Sequence, residues 1–197
     1  MLEWWSAVST QPKTFLTPEE YLELERKAEI KSEYYRGETF AMSGASREHN
    51  TLGVNLVSSL HQQLRGKPCE AYKSDMRVKV SPTGLYTYPD VIVVCGEPRF
   101  EDAAVDTLLN PAFIAEVLSP STEAYDRGRK FEQYQAVASL QEYLLVAQDR
   151  MHVDLFTRQP DGTWLLRGFT RAEDTIELAS IECRVTLGEL YEKVELS

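Results

Sequence analysis

Two apolar, β-branched-rich runs, each carrying one carboxylate, most constrain what this chain can fold into. The first run reads YPDVIVVCG and includes Asp90, and the second reads NPAFIAEVLSPST and includes Glu116. Apolar runs of this length between turn residues are typical of strands buried on both faces of a sheet. A carboxylate in such a strand is unfavourable unless it is paired, hydrogen-bonded or bound to a metal. The two runs therefore predict a polar site built on a sheet.

A divalent cation would suit this pair of carboxylates, because it would turn their mutual repulsion into attraction. Mg²⁺ or Mn²⁺ prefers hard oxygen ligands and assists phosphodiester hydrolysis when some coordination positions stay open. The carbonyl of Val117 is a candidate third ligand. Lys130 is a candidate for stabilising phosphate charge or orienting water. It shares one face of a predicted helix with Asp126 and Tyr134, since the three residues are spaced four apart.

Each of these residues also has a simpler structural interpretation. The proline–aspartate pair at Asp90 can be a turn closed by an Asx hydrogen bond. Lys130 can be a surface lysine in an ion pair on its own helix. Glu116 is the hardest to interpret in this way, because apolar residues flank it on both sides. His49 and Asp75 are two weaker candidates for the site. A histidine at a helix start is more often a cap or a packing residue, and Asp75 is more typical of a structural contact.

The charge of the chain bears on its possible partners. The 197 residues carry a formal net charge of −10. Binding to nucleic acid by bulk electrostatics needs lysine and arginine over phosphates, so this balance argues against it. An acidic protein can still bind nucleic acid through a local basic patch.

Membrane and redox signals are absent from the sequence. No apolar run approaches eighteen residues, and the first ten residues lack the basic segment of a signal peptide. Cys69, Cys95 and Cys183 are scattered and show no CxxC spacing. They predict buried free thiols in a reducing cytoplasm and not a thiolate metal site.

Residues 1–14 are predicted to be a leader, and residues 15–197 a single α/β domain with a mixed sheet. Helices are expected at 18–28, at 49–64, where leucine recurs every four residues, and at 126–138. Strands are expected at 69–80, 86–95 and 113–118, after a short hairpin at 32–42. Three further strands between 142 and 169 follow at hairpin spacing.

A series of short motifs resembles the Uma-two family in order and spacing. The series comprises SEYYRGETFAMSGAS, EHN, SDMRV, YPDVIVVCG, NPAFIAEVLSPST, YDRGRKFEQY and EYLLV. This family belongs to the restriction-endonuclease-like PD-(D/E)XK superfamily, and the resemblance extends from about Phe15 to Val194. It implies a restriction-endonuclease-like mixed β-sheet core flanked by helices, with added C-terminal antiparallel strands.

The resemblance also implies roles for individual residues. Asp90 matches the aspartate of PD, and Glu116 the acidic residue of (D/E)XK; both would be metal ligands. The lysine of that motif is replaced here by Leu118, which cannot stabilise phosphate charge. In the family the lysine comes from the next helix, which matches Lys130. Glu33 matches an acidic residue early in the domain.

The implied function is that of a Mg²⁺-dependent endonuclease acting on nucleic acid, with DNA as the expected substrate and no membrane partner. A homodimer is expected, because a small nuclease must otherwise visit each strand of a duplex separately. The alternatives are a catalytically silent nuclease-fold binding domain and a metal-dependent hydrolase of small nucleotides. The acidic charge favours both alternatives.

Overall fold

The computed structural model describes residues 15–196, so the predicted leader and its two tryptophans lie outside the described residues. Helix α1 (Pro18–Glu25) begins at a capping box: the hydroxyl of Thr17 accepts from the amide of Glu20, and the Glu20 carboxylate accepts from the amide of Thr17. Helix α2 (Arg47–Gln63) begins after Ser46, whose hydroxyl accepts from the amide of His49. The helix expected at 18–28 begins as predicted but ends at Glu25, and the helix expected at 49–64 begins two residues earlier, at Arg47.

A six-stranded mixed sheet carries the main core. Its order is β11–β10–β9–β8–β6–β3, with β8 and β9 parallel and the other neighbours antiparallel. The strands are β3 (Cys69–Lys73), β6 (Val91–Cys95), β8 (Phe113–Leu118), β9 (Glu142–Ala147), β10 (Val153–Arg158) and β11 (Trp164–Phe169).

A second sheet of five short strands and a two-stranded ribbon complete the β-structure. The second sheet has the order β2–β1–β5–β4–β7. Its strands are β1 (Ser32–Tyr35), β2 (Glu38–Ala41), β4 (Arg77–Val80), β5 (Leu85–Thr87) and β7 (Thr107–Leu108), and the ribbon pairs β12 (Thr175–Leu178) with β13 (Cys183–Thr186). The hairpin of β1 and β2 is the one that the sequence predicts.

Helices cover both faces of the six-stranded sheet. The buried leucines of α2 pack on one face, together with β12, β13 and helix α5 (Leu187–Leu190). The other face is covered by α3 (Glu123–Tyr125), a π-helical turn (Asp126–Lys130) and α4 (Phe131–Tyr134). The observed α/β architecture confirms the predicted fold class, including the added antiparallel strands at the C-terminal side.

Successive side chains of β8 pack alternately into the two core layers on either face of the sheet. Phe113, Ala115 and Val117 contribute to the core beneath α2, whereas Ile114 and Leu118 contribute to the core beneath α4. Successive side chains of a strand point to opposite faces. Glu116 therefore points to the α4 side, between Ile114 and Leu118.

Three further predicted elements have wrong boundaries. The strand expected at 69–80 is two strands in different sheets, separated by a turn in which the amide of Met76 donates to the carbonyl of Lys73. The strand expected at 86–95 is also split, because Pro89 has no amide hydrogen to continue a ladder and the chain passes there from one sheet to the other. The helix expected at 126–138 begins at Glu123, ends at Tyr134 and contains the π-helical turn.

The prediction of three free cysteines is wrong for two of them. Cys69 and Cys95 form a disulfide, since they face each other in the β3–β6 ladder with their Cα atoms 4.0 Å apart. Only sheet register brings them together, because 26 positions separate them in sequence. Cys183 is free and buried. The cysteines therefore no longer support a reducing cytoplasm as the location of the protein.

Within residues 15–196, no helix combines the length and the apolar character needed to cross a membrane.

Candidate active site

One buried ammonium lies among three buried carboxylates. The Nζ atom of Lys130 is 3.0 Å from Oε1 of Glu116, 3.0 Å from Oε1 of Glu33 and 3.4 Å from Oδ1 of Asp126. All four side chains are almost fully shielded from solvent. The prediction that Lys130 shares a helix face with Asp126 is confirmed, and the alternative of a surface ion pair is not what the structure shows.

The elements that hold these groups come from three parts of the fold. Glu116 projects from β8 towards α4, Glu33 from β1, and Lys130 from the π-helical turn. Such turns interrupt the regular helix and occur frequently at functional sites. Here the turn buries Asp126 and Lys130 together, while Arg129 stays exposed.

Three hydroxyl groups hold the glutamates of this cluster. The phenol of Tyr134 donates to Oε1 of Glu116 at 2.9 Å. Thr87 donates to Oε1 of Glu33, and the phenol of Tyr125 donates to Oε2 of Glu33 at 3.3 Å. Sequence reasoning placed Tyr134 on the correct helix face but missed Thr87 and Tyr125, since nothing local marks residues that meet only through the fold.

Asp90 lies just before β6 and contacts the neighbouring strand β8. Its Oδ2 atom accepts from the backbone amide of Val117 at 2.7 Å. The β6–β8 ladder ends at the pair Val91–Ala115, so this carboxylate takes the place of the missing ladder partner. The simpler alternative of a local Asx turn is therefore not the observed contact.

His49 also contacts Asp90, with 3.3 Å between Nε2 and Oδ2. Burial lowers the pKa of His49, but the hydrogen bond and charge of Asp90, with the Val117 carbonyl, outweigh it and hold the pKa above its usual value. The ring lies beside the carbonyl that is predicted to be a third metal ligand. His49 is thus close to the candidate site, whereas Asp75 forms surface ion pairs with Lys31 and Lys73.

The electrostatics of the cluster show an excess of negative charge. Burial raises the pKa of Glu116 to about 8; Lys130 opposes the rise, and the charges of Asp126 and Asp90 add to it. Burial by itself would lower the pKa of Lys130, but Glu116, Glu33 and Asp126 hold it well above its usual value. Lys130 therefore stays charged, and its single charge does not balance the surrounding carboxylates.

This chemistry fits a hard divalent cation beside Asp90 and Glu116. Both hydrogen-bonding contacts of Glu116 described above reach Oε1, so neither engages Oε2. Among residues 15–196 no group of three or more His, Cys, Asp and Glu side chains has the arrangement of a metal site. Mg²⁺ does not require one, because it commonly binds one or two carboxylates and keeps several waters.

The cluster lies in a cleft of about 1070 Å³. Asp90, Glu116, Lys130 and Glu33 all line it, so the structure brings the four predicted site residues to one cavity. Val117 lines the same cleft.

The fold is shared with a solved protein described as a nuclease. The crystal structure of "a putative nuclease belonging to DUF820" from Anabaena variabilis ATCC 29413 superposes with a TM-score of 0.75. The match covers 91% of this chain and 99% of that chain at 20% sequence identity. The chain is therefore an α/β protein of nuclease-like fold.

The family follows from the sequence comparisons. The model of Uma2, described as "Putative restriction endonuclease", matches residues 18–188, and the chain belongs to this family. Two proteins of Synechocystis sp. (strain ATCC 27184 / PCC 6803 / Kazusa), slr1290 and sll1609, are each 40% identical to it. The alignments cover 89% of this chain and 91% of slr1290, and 77% of this chain and 85% of sll1609. The resemblance seen in the motifs is thereby confirmed.

Proposed function

We propose that this protein is a metal-dependent nuclease that hydrolyses phosphodiester bonds of nucleic acid. The observation that carries the proposal is the Lys130 ammonium held 3.0 Å from Glu116 on the floor of a cleft that Asp90 also lines. The restriction-endonuclease description of the family and the nuclease description of the structural neighbour support the same class of reaction.

Asp90 and Glu116, with the carbonyl of Val117, would hold Mg²⁺ or Mn²⁺. The bound cation would supply Lewis-acid stabilisation of phosphate charge and a more acidic water. Burial, with the charges of neighbouring carboxylates, raises the pKa of Glu116 to about 8. Tyr134 would orient Glu116 by donating to Oε1.

Lys130 would stabilise the charge that develops on the phosphate oxygens. Leu118, at the motif position of the lysine, is buried in the core beneath α4. The ammonium instead comes from the π-helical turn that covers the same face of the sheet. Glu33 would hold it in place from the other side, at 3.0 Å.

The net reaction needs no oxidant or reductant. The oxygen of water forms a bond to phosphorus, one ester P–O bond breaks, and the departing oxygen takes up a proton. The products are a phosphate monoester and an alcohol. His49 would keep Asp90 oriented, since its Nε2 lies 3.3 Å from the carboxylate.

Incubation of the purified full chain with Mg²⁺ or Mn²⁺ and plasmid, single-stranded DNA or RNA tests the proposal. We expect cleavage that is lost in Glu116→Gln and in Asp90→Asn. Glu142→Gln is a matched control: Glu142 is an equally buried carboxylate, but its partners are Ala179 and Ser180, away from the cleft. Cleavage that survives Glu116→Gln contradicts the proposal.

Two alternatives have specific support. The complete pairing of Lys130 by carboxylates favours a silent binding domain, which would show neither cleavage nor metal binding by calorimetry. The net charge of −10 favours a hydrolase of small nucleotides, which would release product from a dinucleotide as readily as from a polymer.

A homodimer with DNA as substrate completes the proposal. Among residues 15–196, β11 is an edge strand that exposes Leu165 and Leu166, and an apolar edge of this kind can pair with a second copy. Sedimentation at micromolar concentration tests this, with a monomer in Leu166→Lys as the expected result. A monomeric wild-type protein contradicts it.

A further inference from the structure

The rim of the cleft differs in chemistry from its floor. Phe40 is 51% exposed and Tyr125 37%, and the aliphatic residues Ile30 and Val54 beside them are more exposed still. On the floor, Glu116 is 4% exposed and Lys130 5%. A substrate must therefore pass an apolar and aromatic rim before a phosphodiester can reach the charged groups.

Phe40 lies beside Glu33 on the same face of the β1–β2 hairpin. It pairs with Glu33 across the β1–β2 ladder, and residues that face each other in an antiparallel pair have their side chains on the same face. Tyr125 contacts the same groups: its phenol donates to Glu33, and its ring centre lies 5.9 Å from Nζ of Lys130. Two exposed rings thus line the cleft that contains the buried ammonium.

The cleft offers few free positive charges. Lys31 and Lys73, which line it, both pair with Asp75. Lys130 is shared by three carboxylates. Arg129 lines the cleft, is exposed and forms no ion pair with the part of the chain that the structure describes. Binding of duplex DNA relies on many phosphate contacts, which this surface does not supply.

The volume of the cleft sets the size of what it can enclose. At about 1070 Å³ it lies just above the range of pockets that enclose a drug-sized molecule, roughly 300–1,000 Å³. One or a few nucleotides fit such a space.

We propose that the substrate of this site is unpaired nucleic acid, bound with its bases against Phe40 and Tyr125 and one phosphate at Arg129. This inference rests on the proposed nuclease function and specifies its substrate class. Every base has a π-face, so stacking on these rings tolerates any sequence. A single strand also needs only one site for each cut, so cleavage does not require a dimer.

Fluorescence anisotropy tests the binding separately from cleavage. The probes are a labelled unstructured 12-nucleotide single strand, as DNA and as RNA, and a blunt hairpin duplex of equal length. They are titrated with the wild-type protein in EDTA and with Glu116→Gln in Mg²⁺. We expect single strands to bind at least tenfold more tightly than the duplex. The slope of log K against log[salt] should be about −1 or shallower, because few phosphates are contacted.

Variants of the rim identify the contacts. Phe40→Ala should weaken single-strand binding by roughly five- to 150-fold, the range measured for loss of one base–aromatic stack. Phe40→Trp should restore it. Leu24→Ala, at a similarly exposed apolar residue outside the cleft, should leave it unchanged. Duplex binding as tight as single-strand binding, or an unaltered affinity in Phe40→Ala, overturns the inference.

Cleavage of the same probes by the wild-type protein in Mg²⁺ separates the two proposals. Cleavage that favours single strands supports both. Cleavage that favours the duplex refutes the single-strand inference and leaves the nuclease function standing. Tight single-strand binding without cleavage of any probe refutes the nuclease function and leaves the binding inference standing.

Discussion

Two charged clusters of this protein differ in how completely their charges are balanced. In the first, Arg26 contacts Asp106 through two hydrogen bonds and Asp102 through a third, and Arg77 also donates to Asp106. Two guanidinium groups face two carboxylates. The hydrogen bond from Arg26 is the main cause that holds the pKa of Asp106 well below its usual range. These charges stabilise one another.

The cluster around Lys130 has the opposite character. One ammonium faces Glu33, Glu116 and Asp126, and the pKa of Glu116 rises to about 8 instead of falling. A buried carboxylate with a raised pKa is unfavourable to folding at neutral pH. The charges around Arg26 and Asp106 stabilise the fold. The cluster around Lys130 instead keeps an excess of negative charge, which favours binding of a cation. Perturbed groups of this kind in a cleft are typical of functional sites.

The largest expected effect is on cleavage activity, which should depend on the Lys130 cluster and not on the cluster around Arg26. Lys130→Met should reduce cleavage by at least about a hundredfold, because the variant has no charge to oppose that on the phosphate. Arg26→Met should leave cleavage unchanged while lowering the melting temperature. Initial rates on a fluorescent oligonucleotide provide the measurement. Equal activity losses in both variants would remove the distinction.

Divalent metal should stabilise only the protein in which the proposed ligands Asp90 and Glu116 are intact. At one hundred times the dissociation constant, Mg²⁺ or Mn²⁺ should add about 2.7 kcal/mol to the free energy of unfolding. Differential scanning fluorimetry with and without metal measures this. The increase should vanish in Asp90→Asn and persist in Asp106→Asn. A metal-induced increase of equal size in Asp90→Asn would exclude Asp90 as a ligand.

Neutralising one carboxylate in each cluster should change stability in opposite directions. Asp106→Asn should lower the free energy of unfolding by about 1–3 kcal/mol, since it removes charged hydrogen bonds of two arginines. Glu116→Gln should leave it unchanged or raise it, because the excess charge is relieved. Urea denaturation in EDTA measures both, with the exposed Glu177→Gln as a control expected within about 0.5 kcal/mol of wild type. Strong destabilisation by Glu116→Gln would show that the cluster is structural.

The pH dependence of stability should also differ between the clusters. Glu116 has a folded-state pKa raised from 4.5 to about 8, so in EDTA its contribution to stability is lost as the pH rises through this window. The slope is at most about 1.4 kcal/mol per pH unit. The folded-state pKa of Asp106 is depressed, so its contribution is present above the unfolded pKa and is lost as the pH falls below it.

Urea titrations from pH 3 to pH 9 resolve the two contributions. Glu116→Gln should remove the alkaline decline, and Asp106→Asn the acid decline. Addition of Mg²⁺ should also flatten the alkaline decline, because a bound cation favours the carboxylate. An alkaline decline that persists in Glu116→Gln would assign it to another group.

Much of the fold could be predicted because its signals are local. Thr17 and Ser46 begin helices by hydrogen bonds within four residues, and leucines four apart identify the buried face of α2. Two strand boundaries were predicted wrongly, at Pro89 and at the turn after Lys73. The residues before and after each of these points are suited to a strand. Pairing in two separate sheets decides where each strand ends.

The candidate site was also predictable only in part. The position of Glu116 in an apolar run marked it as unusual before any contact was known, and the alternation of β8 sets which face it takes. The family motif, and not spacing alone, distinguished Lys130 from a surface lysine. Their roles in metal binding and catalysis stay predictions until the variants are measured.

The sequence by itself determined the capped helices, the hairpins and the two carboxylate-bearing segments, because these depend on periodicity and hydrogen bonds over a few residues. Only the tertiary structure brought Glu33 and Thr87 together, put His49 beside Asp90 and joined Cys69 to Cys95. Such contacts depend on sheet order and register. Those are set by packing over the whole chain, and no short stretch of sequence contains them.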